Sequence, residues 1–525
     1  MRMTNKIMQT NSLYNINQTK VQEDKYNTQL TSQSKITRPS DDPVVAIRAL
    51  RLRSNVTTAD QYYSKNAPDA DKWLTVTAES MNTITSVLTD LYKQVETGVN
   101  KDYTASDMRV LLTQIQQNTH EVFATGNQDY AGRYIFTGYR TDTALTFDKS
   151  QIDASRQVPE YKITEYIDPV QLDVFNYTDY SVFDTTASAS TATELQITNA
   201  DIHRIRLSYK SLSDDEMASL SYTTVNNSVS PAVSTVHDVT PIIQVSSAEE
   251  AYKIMTEVAN NTYTGSSFGA IYVPSSGELL FGKELYDTMT EAVADGGTIS
   301  TTYTKKDWLV DDLNPEHYFY CEKKADVDKT YVTPIKYNEE YKKNGSVDTE
   351  ISYDVGYNQT IQVNTNASEV FNPSIKRDQD DLENLVKHFE KIETLRESYK
   401  EELAGYVEGT ADYIRCKKQF DAADKAYTYI RDAVSKRFGD QISRYQQYMD
   451  ETNVAITKNG TRRTRLDLIT ERLESQKATF KELQESNEGI DMTEVAIHLT
   501  AAETTYDAAL MATSKIMQNS LINYI

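Results

Sequence analysis

Residues 67–95 read APDADKWLTVTAESMNTITSVLTDLYKQV and decide the fold class. Apolar or small side chains recur there in an unbroken alternation of three-residue and four-residue steps. This spacing is typical of a coiled-coil seam, in which one face of a long helix packs against a second helix. The stretch therefore predicts a helical rod. The residues predicted for its coiled-coil core are Leu74, Met81, Ile84, Leu88, Leu91 and Val95.

The helix that carries this seam has a marked beginning. The turn before it reads RPSDDP over residues 38–43. Asp42 is of the type favoured at the N-cap of a helix, and Pro43 is of the type favoured at the first helical position. Because Gly98 and Asn100 end the pattern, we expect one helix from about residue 43 to about residue 99. We interpret Asp42 and Pro43 as an interdomain turn.

The same spacing returns toward the other end of the chain. It runs through residues 382–406, 420–434 and 466–483, so these segments predict the helices that pack against the first rod helix. The residues predicted for the rod core on this side are Leu466, Ile469, Leu473 and Phe480.

Both ends of the chain predict further helices with thin apolar stripes. In the first, about residues 3–35, apolar residues recur every seven positions, but the positions between them are polar. In the last, Asp491 is suited to the N-cap. Helices of this kind are marginal alone in water, so we expect them to become ordered when they dock. The predicted assembly interface comprises Ile7, Tyr14, Val21, Leu30, Met492, Val495, Leu499, Ala502, Tyr506, Ala509, Leu510, Ile516, Met517 and Leu521.

The middle of the chain has a different residue pattern, one that is typical of β-strands. Short runs of β-branched and aromatic residues, such as 161–167, 271–273 and 360–363, are separated by Gly, Asn, Ser and Pro. One helix is expected at about 248–259. The predicted fold class is mixed: a long helical coiled-coil rod from both termini, with an inserted antiparallel β-rich domain.

Three domains follow from this division. Residues 1–42 with 488–525 form the terminal helical domain, and residues 43–147 with 376–487 form the rod. Residues 148–375 form the inserted outer domain, with two subdomains as an alternative, divided near residue 240.

Charge and composition exclude several classes of function. The chain has 54 basic and 77 acidic side chains, a formal charge of −23, so neither nucleic acid nor an anionic membrane is an expected partner. No apolar run is long enough for a membrane span, and no secretory signal is recognisable at the start. The sequence contains no phosphate-binding loop, dinucleotide fingerprint or zinc-ligand set. We therefore expect no cofactor, no metal and no catalytic residue.

Two classes of function remain from the residues alone. One is a structural rod that polymerises through its helical ends and displays the β-rich domain. The other is a binding module whose β-rich domain holds a ligand and whose helices form a dimerising stalk. The stripe in the last helix favours the first class, because it continues almost to the last residue.

Several motifs resemble the flagellin-like axial proteins of the bacterial flagellum. On the N-terminal side they are MRMT (1–4), RPSDDP (38–43), AIRALRLRS (46–54) and NQDYAGRYIFTG (127–138). On the C-terminal side they are TRLDLI (464–469), DMTEV (491–495) and KIMQNSL (515–521). The 127–138 segment is similar to the hook-associated branch of the family. Filament flagellin is the alternative, although flagellins typically continue Asp-Asp-Ala where this turn has Asp-Asp-Pro.

This resemblance implies a structural, non-enzymatic protein that is secreted unfolded through the flagellar type III apparatus. It would lie outside the bacterial cell, as a ring at the junction between hook and filament. Its implied partners are further copies of itself, the first hook-associated protein, flagellin and a cytoplasmic flagellar export chaperone.

Overall fold

The computed structural model describes residues 5–147, 152, 159–179, 183, 197–226, 233–324, 333–345, 347 and 349–522. The chain forms two compact units. The first consists of Met1–Asp71, Tyr353–Ile361 and Thr464–Ile525, and the second of Lys72–Ser352 and Gln362–Arg463. Both units are discontinuous in sequence, as expected for a chain whose two ends pair. The three-domain division proposed from the sequence stays a prediction.

Long helices occupy both ends of the chain, which confirms the first half of the predicted fold class. The helix predicted over 43–99 is present, and a π-helical turn at Tyr62–Asn66 links its two halves. In chain order the helices are α1 (Asn5–Ser32), α2 (Pro43–Gln61), α3 (Ala67–Gly98), α4 (Ala105–Thr125), α5 (Ala248–Ala259), α6 (Lys283–Ala294), α7 (Tyr341–Asn344), α8 (Ser374–Gly405), α9 (Ala411–Glu488) and α10 (Met492–Ile522).

The strands lie almost entirely between α4 and α8, which confirms a β-rich insertion. They are β1 (Asp129–Tyr130), β2 (Arg133–Tyr134), β3 (Tyr161–Tyr166), β4 (Leu172–Asp179), β5 (Thr198–Arg206), β6 (Ser219–Asn226), β7 (Val233–Asp238), β8 (Ile242–Gln244), β9 (Ala270–Val273), β10 (Glu278–Phe281), β11 (Ile299–Lys305), β12 (Tyr320–Lys323), β13 (Ile335–Tyr337), β14 (Ser352–Gly356) and β15 (Gln359–Gln362).

Two sheets form the body of the insertion. A five-stranded sheet has the order β4-β5-β10-β9-β8, and a six-stranded sheet has the order β13-β12-β3-β11-β6-β7. The described pairs are antiparallel except β8–β9, which is parallel. The two sheets take their strands alternately along the chain. A division of the insertion near residue 240 stays a prediction.

The core of the five-stranded sheet shows why the expected helix at 248–259 forms. Helix α5 buries Ala251 and Met255 against Ile202, Ile271 and Leu280 of that sheet. Ala251 and Met255 are four positions apart and so lie on one face of the helix. The three sheet residues come from β5, β9 and β10, so this one helix covers the middle of the sheet.

The predicted rod residues are buried. In the second unit, α3 lies beside α9: Thr89 Oγ1 is 3.6 Å from Met449 Sδ, and Ser435 Oγ donates to the Val99 carbonyl at 2.8 Å. Because the residue numbers rise on α3 as they fall on α9, the two helices are antiparallel. Fully buried on α3 are Leu74, Met81, Ile84, Leu88, Leu91 and Val95, and in the first unit Leu466, Ile469 and Leu473 are buried and Phe480 is half-buried.

Trp73 shows how the 127–138 motif is used. The side chain is 1% exposed. Tyr130 packs edge-on against its ring at a centroid distance of 5.9 Å, and the Arg133 guanidinium lies 4.6 Å from the ring centroid. The β1–β2 hairpin of this motif therefore covers α3 at the beginning of the second unit.

Candidate functional site

The first candidate site is the pair formed by the two terminal helices, within the first unit. Helices α1 and α10 pack along each other. The pairing of Ser34 with Gly489 is antiparallel, and the Tyr26 and His498 rings stack with centroids 5.4 Å apart. Residues near the end of α1 therefore meet residues near the start of α10, so the two helices are antiparallel.

The face of α1 that packs on α10 is mostly polar. Ile16, at 8% exposed, is its one buried residue in the part of α1 that the structure describes. The buried and half-buried positions follow the alternation of a helix seam. They are Gln9, Ser12, Ile16, Thr19, Glu23, Tyr26 and Leu30, and Gln29 beside Leu30 is half-buried as well. Sequence analysis missed this seam because only apolar residues were used to find the period.

The face of α10 that packs on α1 is the stripe read from the sequence. Val495 and Ala502 are each 8% exposed, and Leu499, Tyr506 and Ala509 are half-buried. Since α1 is the helix that packs along α10, these five residues hold the two ends of the chain together. The side chains of Ile516, Met517 and Leu521 lie outside the described part of the structure.

The remaining residues of the predicted assembly interface are exposed. On α1, Ile7 is 50%, Tyr14 63% and Val21 66% exposed, and on α10, Met492 is 46% and Leu510 41% exposed. The sequence placed these residues and the buried stripe in one set. The structure divides that set between the inside of the helix pair and its outer surface.

The turn before α2 ends the segment that follows α1. Asp42 accepts hydrogen bonds from the Val44 and Val45 amides at 3.0 and 3.1 Å, and Pro43 is the first helical residue. The Arg38 and Thr37 amides donate to Asp41, and these bonds hold the pKa of that carboxyl below its usual range. The two aspartates therefore cap the helix and close the turn.

An ion pair and backbone bonds connect this region to the end of α9 within the first unit. Arg53 binds the Glu488 carboxylate through Nε and Nη2. The Lys35 amide donates to the Glu488 carbonyl at 2.7 Å. These contacts hold together the segment that follows α1 and the segment that precedes α10.

The second candidate site is a buried charge network in the second unit, which we call the anchor. It consists of Arg204, Arg206, Arg437, Arg444, Asp173, Asp378, Asp381 and Glu278. The insertion contributes Asp173, Arg204, Arg206 and Glu278 from β4, β5 and β10, and the rod helices α8 and α9 contribute the other four. The anchor therefore joins the insertion to the rod by charge pairs.

Each of the buried arginines of the anchor binds more than one carboxylate. Arg437 reaches both oxygens of Asp173, at 2.8 and 3.0 Å, and also binds Asp381. Arg206 Nη1 lies 2.7 Å from Asp378 and 2.8 Å from Asp381. Arg204 binds Asp173 and Asp381, each at 2.7 Å, and Glu278. Four guanidinium groups thus face four carboxylates.

Burial and neighbouring charge act in opposite directions on these carboxylates. Burial disfavours the ionised form of Asp173, but the Arg437, Arg204 and Arg206 guanidiniums outweigh it and hold its pKa well below the usual range. The pKa of Asp381 is lowered in the same way. At Asp378 burial outweighs Arg206 and Arg437, so its pKa is raised.

Sequence analysis did not find the anchor, although its signal is present. Arg204 and Arg206 are two apart on a strand and so point to one face. Asp378 and Asp381 are three apart and Arg437 and Arg444 seven apart, which are seam spacings. Charged residues occupied positions where the search looked for apolar ones. The partners also lie far apart in sequence, so spacing alone does not pair them.

Neither candidate site has the geometry of a catalytic centre. Within the described ranges, no three His, Cys, Asp or Glu side chains form a group that could hold a metal ion. No helix among the described residues is long and apolar enough to cross a membrane. Both sites consist of packing and ion pairs between segments that are distant in sequence.

Comparison with known proteins finds similarity to components of the bacterial flagellum. The N-terminal helical region of bacterial flagellin matches residues 3–141. Flagellar hook-associated protein 3 of Escherichia coli K12 is 25% identical over 171 residues, 30% of this chain and 54% of the relative. Flagellar hook-associated protein 3 of Salmonella typhimurium LT2 is 24% identical over 189 residues, 36% of this chain and 58% of the relative. The chain thus spans little more than half the length of these relatives.

Solved structures of the same kind overlap weakly with this one. The flagellar junction protein FlgL from Legionella pneumophila is 9% identical, with a TM-score of 0.26 over 85% of this chain and 100% of that chain.

The N-terminal part of the chain is similar to the helical region of bacterial flagellin, and the curated relatives that it matches are hook-associated protein 3 of two bacteria. The resemblance read from the sequence motifs is confirmed.

Proposed function

We propose that this chain is a structural, non-enzymatic component of the bacterial flagellum at the junction between hook and filament, outside the cell. The observation that carries this proposal is the match to hook-associated protein 3 of two bacteria. The helix pair supports it, because apolar side chains on an exposed helix surface are suited to packing between subunits.

The two faces of the helix pair have separate roles. The α10 stripe from Val495 to Ala509 holds α1 and α10 together within one subunit. Ile7, Tyr14 and Val21, with Met492 and Leu510, dock on neighbouring subunits. A helix pair with so few buried residues gains its stability on docking, so folding is coupled to assembly. Asp42 and Pro43 act as the turn between the terminal helices and the rod.

The partners follow from the same position in the flagellum. Copies of this chain form a ring, with the first hook-associated protein on the hook side and flagellin on the filament side. A cytoplasmic export chaperone holds the terminal helices before secretion. A junction must match two different lattices, so its self-association closes in a ring, whereas contacts that do not close produce open filaments.

The proposal is tested by deleting the gene and by purifying the protein. The deletion strain is expected to build hooks, release unpolymerised flagellin and fail to swim, and the wild-type gene should restore swimming. Purified protein should remain monomeric or form rings under conditions that polymerise flagellin. Long filaments of this protein alone would favour filament flagellin. A motile deletion strain would favour the binding module.

A further inference from the structure

A cavity of about 450 Å³ opens between the insertion and the rod in the second unit. Strand β4 and helix α5 form one side, and α8 and α9 form the other. This volume lies in the range of small-molecule sites, about 300–1,000 Å³. Neither flagellar assembly nor the anchor requires a cavity here.

The base of the cavity is lined by buried charged side chains, three basic and three acidic. Part of the anchor forms it, with Arg377 at its edge. Arg377 is 6% exposed; its Nη1 donates to Asp380 at 3.1 Å and its Nη2 to the Ser276 carbonyl. Its Nε, also buried, has no hydrogen-bond partner among the described residues. A buried guanidinium nitrogen without an acceptor is costly, so it favours a ligand that brings one.

One wall of the cavity is aromatic. Phe175 and Tyr177 come from β4 and Tyr252 comes from α5. The Phe175 and Tyr252 rings meet edge to face at 5.1 Å, and Arg204 lies 4.2 Å from the Phe175 ring centroid. These contacts hold the rings in place. Such a wall suits a ligand with a flat apolar surface, such as the C–H face of a sugar ring.

The rim carries charged and uncharged polar side chains. Asn384 on α8, and Lys436 and Asp440 on α9, line the cavity and have exposed side chains. None of the three has a hydrogen bond or ion pair to any residue that the structure describes. Lys436 and Asp440 are four apart and share a helix face. The rim therefore offers a cation, a carboxylate and an amide to one ligand.

The charge of the lining differs from that of the chain. Seven basic and five acidic side chains line the cavity, whereas the whole chain carries a formal charge of −23. An anionic ligand is therefore favoured here, although the rest of the molecule repels anions.

We propose that this cavity binds a small acidic saccharide, a sugar of one or two rings bearing a carboxylate. The carboxylate binds the basic side chains at Arg377 and Lys436. Sugar hydroxyls, which donate and accept, bind Asp440 and Asn384. The apolar face of the ring packs on Tyr177 and Tyr252. A simple inorganic anion would use the cations and leave the aromatic wall and the rim carboxylate without a role.

The test is a titration of the full-length protein with D-glucuronate, followed by calorimetry and ligand-observed NMR. D-Glucose, acetate and inorganic phosphate serve as comparison ligands. Glucuronate is expected to bind saturably and at least about tenfold more tightly than each of them, because it alone uses both the charged and the ring contacts.

Two rim variants locate the site. Lys436→Ala and Asp440→Asn change exposed side chains without partners, so the fold is expected to persist, and each should weaken glucuronate binding by about fivefold or more. Lys93→Ala, an exposed lysine outside the cavity lining, is the matched control and should bind as the wild type does. Absence of saturable glucuronate binding overturns the proposal. Equal binding of phosphate or acetate overturns it as well, as does binding that Lys436→Ala leaves unchanged.

Discussion

The anchor and the α1–α10 pair each join segments from distant parts of the chain, but they do so by different chemistry. The anchor places charged groups that are almost wholly buried in direct contact, with several bonds to each group. The helix pair has a seam that is mostly polar on α1 and apolar on α10, and it leaves other aliphatic side chains exposed. Buried ion pairs are sensitive to the loss of any one member, whereas a thin seam separates at little cost. The first arrangement suits a permanent joint, and the second suits a surface that changes partners.

The largest loss of stability is expected when one member of the anchor is removed. Asp381→Ala leaves the Arg204, Arg206 and Arg437 guanidiniums with fewer counter-charges in a buried site. It should lower the free energy of unfolding of the second unit by about 3–5 kcal/mol. Urea unfolding, with hydrogen exchange to assign the region, measures this. Asp90→Ala removes an exposed carboxylate that pairs with Lys93 and should cost less than about 1 kcal/mol. Equal effects of the two variants would show that the anchor contributes no more than a surface pair.

The next effect is a pH dependence confined to the second unit. Burial, reinforced by the Arg140 charge, lowers the pKa of His317 to about 4, and burial lowers the pKa of His388 to about 4. The unfolded chain binds these protons near pH 6.5, so stability is full above that pH and falls as the pH drops toward 4. Each histidine accounts for about 3 kcal/mol of the loss at pH 4.

The histidine prediction is measured by hydrogen exchange as a function of pH. His317→Asn should reduce the loss in the second unit by about half, since His388 remains. The α1–α10 pair has no buried histidine among its described residues and should keep its exchange rates over this range, after correction for intrinsic rates. If hydrogen exchange in the helix pair responded to pH as strongly as in the second unit, buried histidines would not be the cause.

A smaller effect is expected at the seam of the helix pair. Ile16→Ala shortens the one side chain of α1 that is buried among its described residues, and it should destabilise the pair by about 2 kcal/mol, since a buried aliphatic group is lost. Hydrogen exchange in α1 and α10 should accelerate together, and limited proteolysis should release both ends. An unchanged second unit is the internal control. If α10 stays protected while α1 is lost, the two helices are not held by each other.

The smallest effect on monomer stability is expected on the outer surface of the same helix. Tyr14→Asp changes a residue that is 63% exposed, so monomer stability should change by less than about 0.5 kcal/mol. Assembly should nevertheless fail, because docking would bury an unpaired charge. Complementation of the deletion strain and electron microscopy measure this. Normal flagella with Tyr14→Asp would remove this surface from the proposed interface.

The sequence predicted the helices well because their signal is local. The seam of α3, the N-cap at Asp42 and the helix at 248–259 each depend on residues close together in the chain. The same is true of the Val495–Ala509 stripe of α10. A regular period is visible whenever buried positions are apolar, and these segments satisfy that condition.

The anchor and the inner face of α1 could not be predicted from the sequence. The anchor depends on pairing between distant parts of the chain, and the inner face of α1 consists largely of polar residues. Arg204 meets Asp381 only after β5 has entered its sheet and α8 has packed beside it. The inner face of α1 is hidden from a hydrophobic pattern because Gln9, Ser12 and Glu23 occupy it. The exposed residues Ile7 and Val21 produced the stronger signal, although they lie on the outer face.

The antiparallel α1–α10 pair has a consequence for the order in which the parts of the chain fold. Its partners stand at opposite ends of the sequence, so the loop that must close between them is nearly the whole chain. The entropic cost of closure rises with loop length, and contacts of such separation form slowly. The second unit, once folded, brings these ends closer and shortens the effective loop. The helix pair is thereby completed last, after the second unit has folded.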